Sequence, residues 1–160
     1  MESSLKELFD RFAEGDGLTS ILGTSHQESA GEIRLTGLSG SMAAMTCAAL
    51  FSKLEQPALC ILRDKEEAAY FLNDLESLLG KKDVLFYPAS YRRPYEIEQT
   101  DNANVLLRAE VLNRLSSRKK PAVIVSFPDA LFEQVVTRSE ISKNTLQLKV
   151  EDSIGLDFLN

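Results

Sequence analysis

The sequence is poor in the residues that form disulfides and metal sites, with two cysteines and one histidine in 160 residues. Cys47 and Cys60 both lie in apolar segments, which favours reduced, buried thiols over a disulfide. His26 stands alone in a polar stretch, without a cysteine or an acidic cluster beside it. The composition therefore predicts neither a disulfide framework nor a bound metal.

Long apolar runs and clustered cations are also missing. No segment approaches the roughly 20 apolar residues of a membrane span, and the first residues lack the basic and apolar regions of a signal peptide. The net charge is -6, which argues against a general affinity for nucleic acid. The composition, with 44% hydrophobic and 26% charged residues, is typical of a globular protein. The length predicts one domain, or one domain and the start of another. We expect the protein to be cytoplasmic and to make no membrane contact.

Short aliphatic segments alternate with helical patterns along most of the chain. Four segments predict parallel strands: 32–36, 58–62, 84–87 and 122–126. Between and around them, helices are predicted at 5–12, 42–55, 64–79, 104–116 and 128–136, and a short apolar stretch at 18–22 ends at Gly23. This alternation is typical of an α/β fold in which a parallel sheet carries helices on both faces.

Details of these helices follow from single residues. Asp64 and Asp129 each precede a helical pattern and are predicted to cap it. Gly80 is predicted to end the helix that follows Asp64. In the helix at 104–116 the apolar pattern predicts these inward-facing residues: Val105, Leu106, Ala109, Leu112 and Leu115.

A glycine loop between the first strand and its helix resembles a phosphate-binding loop that has lost its chemistry. The P-loop pattern is G-x-x-x-x-G-K-[ST], and counting from Gly37 its last three positions hold Met42, Ala43 and Ala44. The lysine that reaches the phosphates and the hydroxyl that holds Mg²⁺ are both missing. The predicted degenerate loop comprises Gly37, Ser39, Gly40, Ser41, Met42, Ala43 and Ala44. We therefore expect neither a bound cofactor nor catalysis in this chain.

Other polar residues are candidates for catalytic acids. Asp64 and Asp129 follow strands, as the acid of a nucleotide site does, but each is better explained as a helix cap. The pairs Glu66-Glu67 and Glu96/Glu98 are interpreted as solvated surface.

The loop at 88–103 is dense in aromatic and cationic residues and includes Tyr91, Arg92, Arg93 and Tyr95. Such residues are typical of a recognition surface, and the same composition suits contact with single-stranded DNA. Packing of the tyrosines back onto the edge of the sheet is the structural alternative. These four residues are our candidates for an interaction surface.

The end of the chain differs from the rest. Residues 145–150 alternate polar and apolar side chains as an exposed-face strand does, and a helix begins at 151–153 that the sequence does not complete. The pattern predicts a piece of a longer protein with an N-terminal helical segment at 1–30, an α/β domain at 31–143 and the beginning of a truncated second domain at 144–160.

The order of several segments resembles the N-terminal region of bacterial transcription-repair coupling factors (Mfd). The resemblance covers residues 5–160 and is carried by 35–41, 57–62, 85–89, 94–96, Arg108, 123–126 and 130–131. In that family the region is similar to the damage-recognition subunit UvrB and comprises a domain 1a, a domain 2 that binds UvrA, and a domain 1b.

The resemblance implies that residues 31–143 are domain 1a, a helicase-like half-domain with a degenerate nucleotide loop. It implies a non-catalytic module in transcription-coupled nucleotide excision repair that contributes to UvrA recruitment and to autoinhibition of the DNA translocase. In UvrB, the segment that matches residues 87–103 carries a tyrosine-rich hairpin that enters DNA, and here this segment is shorter. The implied partners are the rest of the coupling factor and UvrA, the latter through a domain 2 that is mostly missing.

In the family, RNA polymerase and DNA bind through C-terminal domains, which also hold the ATP-driven motor and are absent here. The alternative hypothesis is a nucleotide-binding α/β enzyme domain that uses an atypical phosphate loop.

Overall fold

The computed structural model describes residues 2–25, 31–90, 101–117 and 120–135. The elements in these ranges are helices α1 (Glu2–Ala13), α2 (Asp16–Ser25) and α3 (Met42–Leu54), strand β1 (Ala58–Ile61), helix α4 (Lys65–Leu79), strand β2 (Val84–Tyr87), helix α5 (Asn102–Ser117), strand β3 (Val123–Ser126) and helix α6 (Pro128–Phe132). In this part of the chain no helix is long and apolar enough to cross a bilayer.

The three strands form one parallel sheet in the order β1-β3-β2. Val123 of β3 is aligned with Ala58 on one side and with Val84 on the other. β3 is the central strand, and all four of its residues are buried, as expected for an aliphatic run covered on both faces. The predicted α/β class and the parallel pairing of these three segments are confirmed.

Helices cover both faces of the sheet. Residues aligned in register share a face because side chains alternate along each strand. On one face, the ring of Tyr87 lies under Arg108 of α5. On the other face, Cys60 contacts Cys47 of α3, and α3 in turn packs against α4. The core between these layers is built mainly from small and aliphatic residues, among them Ala48, Ala68, Leu75, Val123 and Val125.

Helix α4 has the ends that its sequence predicts. The side chain of Asp64 accepts a hydrogen bond from the backbone N–H of Glu67 at 2.9 Å, and Gly80 follows the last turn with a φ of 84°. A positive φ is costly for a residue with a Cβ atom, so glycine suits this position.

The predicted strand at 32–36 is wrong. Residues 31–39 adopt no regular secondary structure, and each of them is exposed. Instead of pairing with the sheet, Ile33 and Leu35 line a cavity together with Leu18 and Ile21 of α2. A strand requires a neighbour to hydrogen-bond, and within the described residues β1 and β2 pair only with β3.

The predicted inward face of α5 is also wrong. Its buried residues are Arg108 and Val111, whereas Leu106 is 71% exposed and Val105 and Leu115 are exposed as well. Ala109 is exposed too, and of the predicted set Leu112 alone packs against the core. A different face of α5 is buried because the Arg108 guanidinium is held inside the fold, where it contacts two carbonyl oxygens and a carboxylate.

Helix α2 runs from Asp16 to Ser25 and includes the apolar stretch at 18–22. One predicted helix cap is wrong. Helix α6 is preceded by Phe127, with Pro128 in its first turn, so Asp129 lies inside the helix and does not cap it.

Candidate functional site

The glycine loop leads directly into α3, as the sequence predicts. Gly37 and Gly40 have positive φ values of 79° and 54°, and the backbone N–H of Met42 donates to the carbonyl oxygen of Ser39 at 3.2 Å. Ser41 precedes the helix and makes no side-chain cap hydrogen bond. The loop therefore has the left-handed glycines of a tight turn into a helix. The residues before it, 31–36, do not form the strand that precedes such a turn in a P-loop.

The side chains in the first turn of α3 cannot hold phosphate or Mg²⁺. Ala43, at the position of the P-loop lysine, is exposed, and Ala44, at the position of the hydroxyl, is 1% exposed and part of the core. Thr46, the first hydroxyl-bearing residue of the helix, donates to the carbonyl oxygen of Met42 at 2.8 Å. A larger side chain at Ala44 would have to displace core atoms.

A cavity of about 580 Å³ lies between the first helices and the glycine loop. Its lining is largely apolar and includes Phe12, Leu38 and Met42, with Arg11 and Arg34 as its cations. Among the described residues, no carboxylate lines this cavity, and no group of three or more His, Cys, Asp or Glu could hold a metal ion.

Of the acids considered as catalytic groups, Asp64 and Glu67 have structural roles. Asp64 caps α4 and pairs with Arg63 at 3.1 Å. The hydrogen bond from the Glu67 backbone, followed by the bond from Arg63, holds the pKa of Asp64 below its usual range. Glu67 accepts from the backbone N–H of Arg63 at 3.0 Å, and Glu66 is exposed. Glu96 and Glu98 lie outside the described residues.

The two ends of the segment 91–100 are tied together. The backbone N–H of Asp101 donates to the carbonyl oxygen of Ser90 at 2.8 Å. Beside it, the side-chain amide of Asn104 donates to the carbonyl oxygen of Ala89 at 2.9 Å. These bonds connect the chain after β2 to the start of α5, so Ser90 and Asp101 lie side by side.

Arg108 of α5 supports this junction from inside the protein. Its Nη1 donates to the carbonyl oxygens of Pro88 at 2.8 Å and Ala130 at 3.0 Å. Its guanidinium carbon lies 4.2 Å from the centre of the Tyr87 ring, a cation–π contact. Burial raises the pKa of Tyr87, and nearby Glu133 adds to this rise whereas Arg108 opposes it.

Glu133, just after α6, completes the arrangement. Its carboxylate lies 3.3 Å from Nη1 of Arg108, with side-chain exposures of 8% for the arginine and 14% for the glutamate. The same carboxylate accepts from the backbone N–H of Ser90 at 2.9 Å and from its hydroxyl at 2.7 Å. We call Tyr87, Ser90, Arg108 and Glu133 the junction cluster. It fixes the backbone where the segment 91–100 begins.

The four predicted interaction residues, Tyr91, Arg92, Arg93 and Tyr95, lie in 91–100 and outside the described residues, and so does His26. Sequence reasoning missed Glu133, for which no local pattern gives a signal, and it assigned Arg108 no structural role. The pattern of α5 alone gives no signal for the burial of Arg108 either, because its partners lie in other elements.

The fold places the chain among parallel α/β proteins with a glycine-rich loop before a core helix. Its sequence is 30% identical over 135 residues to a transcription-repair-coupling factor of Bacillus subtilis (strain 168). The aligned region covers 84% of this chain and 11% of that relative. This similarity supports a distant relationship to the coupling factor. No protein-family model and no solved structure matches the chain.

Proposed function

We propose that this chain is a non-catalytic module of a transcription-repair coupling factor. The first turn of α3 is the main support for a non-catalytic role. Met42 and Ala43 stand where a P-loop has glycine and lysine, and Ala44 is buried in the core. The similarity to the coupling factor of Bacillus subtilis supports the family. Because the chain spans 11% of that relative, the motor activity is attributed to other parts of the full protein.

In this proposal residues 31–143 form a helicase-like half-domain of a cytoplasmic repair protein. Residues 1–30 precede it as a helical segment, and 144–160 begin the domain that contacts UvrA. The module packs reversibly on the rest of the coupling factor, contributes to UvrA recruitment and restrains the translocase. RNA polymerase and DNA are contacted by other domains of the full protein.

The junction cluster supports the loop at 88–103 as a contact surface. A contact segment binds more tightly when it loses less conformational entropy on binding. The buried Arg108–Glu133 pair and the Ser90–Asp101 backbone bond order the two ends of the segment before any partner arrives. Arg92 and Arg93, between these ends, are cations that can dock on an acidic surface of the full protein.

Charge reversal in the full-length coupling factor tests this proposal. If Arg92 and Arg93 hold the restrained state, Arg92→Glu with Arg93→Glu weakens the intramolecular contact, so basal ATPase activity or UvrA binding increases. The measurements are steady-state ATP hydrolysis without DNA and UvrA binding by surface plasmon resonance.

The matched control is Lys53→Glu with Lys81→Glu, which reverses the same charge at two exposed positions away from the loop. The control should leave both measurements unchanged. Unchanged ATPase activity and UvrA binding in the Arg92/Arg93 variant, with a native circular dichroism spectrum, would show that the loop does not restrain the protein.

The alternative, a nucleotide-binding enzyme domain, would have to hold phosphate without the lysine and the hydroxyl of a P-loop. The loop N–H of Met42 bonds within the turn, and the nearby hydroxyl of Thr46 bonds to the helix backbone. No contact in this region favours that hypothesis.

A further inference from the structure

Two thiols face each other between the helical layer and the sheet. Cys47 lies on α3 and Cys60 on β1, and their sulfur atoms are 3.2 Å apart in a thiol–thiol hydrogen bond. Both residues are free and only partly buried. The two cysteines of the sequence are 13 positions apart in the chain, and the fold brings them into direct contact.

We propose that Cys47 and Cys60 form a reversible redox modification site, in which a peroxide converts the two thiols into an intramolecular disulfide. This inference stands apart from the proposed repair function, because it rests on the sulfur geometry alone. The reduced pair is the resting state in a reducing compartment, and the disulfide forms when peroxide is supplied.

The chemistry assigns different roles to the two sulfurs. The thiolate of Cys47 attacks one peroxide oxygen, the O–O bond breaks, and water leaves once the departing oxygen has gained a proton. Cys47 is then a sulfenic acid. The sulfur of Cys60 attacks the sulfur of Cys47, the S–O bond breaks, and a second water leaves with the proton that Cys60 gives up. The two thiols lose two electrons, and one peroxide is reduced to two waters.

The electrostatics of the pair agree with this order. The hydrogen bond from Cys60 lowers the pKa of Cys47, which favours its thiolate as the first nucleophile. The pKa of Cys60 is raised, first by its hydrogen bond to Cys47 and then by burial and the charge of Cys47. Oxidation of Cys47 to the sulfenic acid removes that neighbouring charge, which makes Cys60 easier to ionise for the second step.

The disulfide would tie α3 to β1. Helix α3 begins at Met42, directly after the glycine loop, and β1 is an outer strand of the sheet that the described residues form. A covalent link between them restricts the unfolded chain by closing a short loop. The oxidised protein should therefore unfold at a higher temperature, by roughly 6–12 °C for a chain of this size.

The test uses the full 160-residue chain, reduced and then freed of reductant. After treatment with hydrogen peroxide, free thiols are blocked with a maleimide and the intact mass is measured. We expect a monomer that has lost two hydrogens and carries no maleimide, that melts at the higher temperature, and that returns to the reduced mass with dithiothreitol.

Two single variants assign the roles. In Cys60→Ser, peroxide should stop at a sulfenic acid on Cys47, which dimedone traps. In Cys47→Ser, the remaining Cys60 should react several-fold more slowly and give several-fold less dimedone adduct under the same exposure. Far-UV circular dichroism checks that both variants are folded. Two maleimides on the peroxide-treated wild-type chain, or disulfides formed only between chains, would overturn the proposal.

Discussion

Arg108 is the residue that departs furthest from the usual rules of burial. Arginine is rarely buried unless it is paired, and here a single guanidinium serves two carbonyl oxygens, a carboxylate and an aromatic ring. The oxygens come from Pro88, just after β2, and from Ala130 and Glu133, in α6 and just after it. Arg108 therefore joins α5 to two parts of the chain that are distant from each other in sequence. Its burial could not be read from helical periodicity, because the partners are tertiary.

Replacing this cation with an apolar side chain should destabilise the protein. Arg108→Met leaves the Glu133 carboxylate buried without a cation, and loss of one partner from a buried pair costs about 3–5 kcal/mol. Urea unfolding followed by circular dichroism measures the change. Arg34→Met, which removes an exposed arginine, is the matched control and should stay within about 0.5 kcal/mol of the wild type.

Coupling between the two charges distinguishes a true pair from two independent sites. Adding Glu133→Leu to Arg108→Met removes the stranded carboxylate, so the double variant should lose less stability than the sum of the two single variants. Strictly additive losses would show that the two side chains do not depend on each other.

Helices and strands whose signals lie within their own segment were predicted correctly. β1, β2 and β3 are short aliphatic runs bounded by turn residues, and α4 has Asp64 before it and Gly80 after it. The segment at 32–36 has a similar run, yet it forms no strand because strand formation depends on a neighbouring strand. Sequence reasoning cannot supply that neighbour.

The cap of α4 gives a prediction with a pH dependence. The pKa of Asp64 is lowered in the folded protein, so its charge stabilises the fold above the unfolded pKa of about 4. This stabilisation is lost as the pH falls through the folded pKa. Asp64→Ala should therefore lower the urea midpoint at pH 7, and its difference from the wild type should shrink when the pH is brought below about 4.

The control for this variant is Asp74→Ala, which removes an acid from the middle of the same helix. Alanine is the better helix former there, so the urea midpoint at pH 7 should be unchanged or higher. A midpoint lowered equally by both substitutions would mean that net charge, and not the cap, accounts for the loss.

For the molecule as a whole, the candidate site was predictable only in part. The spacing from Gly37 identified a loop without lysine or hydroxyl, and the structure adds that Ala44 is buried. The junction cluster was not predictable, because Ser90 and Glu133 are 43 positions apart and nothing in either segment points to the other.

Mg-ATP should not bind measurably to this chain. Each charge-assisted hydrogen bond that a phosphate site lacks is worth roughly 1.5–3 kcal/mol, so the absence of a few of them moves a micromolar site toward the millimolar range. Isothermal titration calorimetry should show no binding heat. A dissociation constant in the micromolar range would refute the non-catalytic proposal.

Rebuilding the loop gives a second measurement. The triple variant Met42→Gly, Ala43→Lys and Ala44→Thr should not hydrolyse ATP, since in our proposal the acidic and arginine groups of the second helicase half belong to other domains. The Ala44→Thr substitution would also crowd the core around a position that is 1% exposed. ATP turnover by this isolated variant would contradict the assignment of those groups.

The position of β1 at the edge of the sheet has a consequence for hydrogen exchange. Ala58 and Leu62 donate their backbone N–H groups to Ala122 and Ser126, beside β3. In a parallel pair, alternate residues donate to the same neighbour, so the N–H groups of Leu59 and Ile61 point away from β3. Among the described residues no strand lies on that side.

Neighbouring amides of one strand should therefore exchange with deuterium at very different rates, slowly at Cys60 and Leu62 and rapidly at Leu59 and Ile61. The two fast amides report on this edge alone. Any strand that pairs with β1 would slow the exchange of these two amides and leave the protected ones unchanged, so they offer a direct signal for a partner at this side of the sheet.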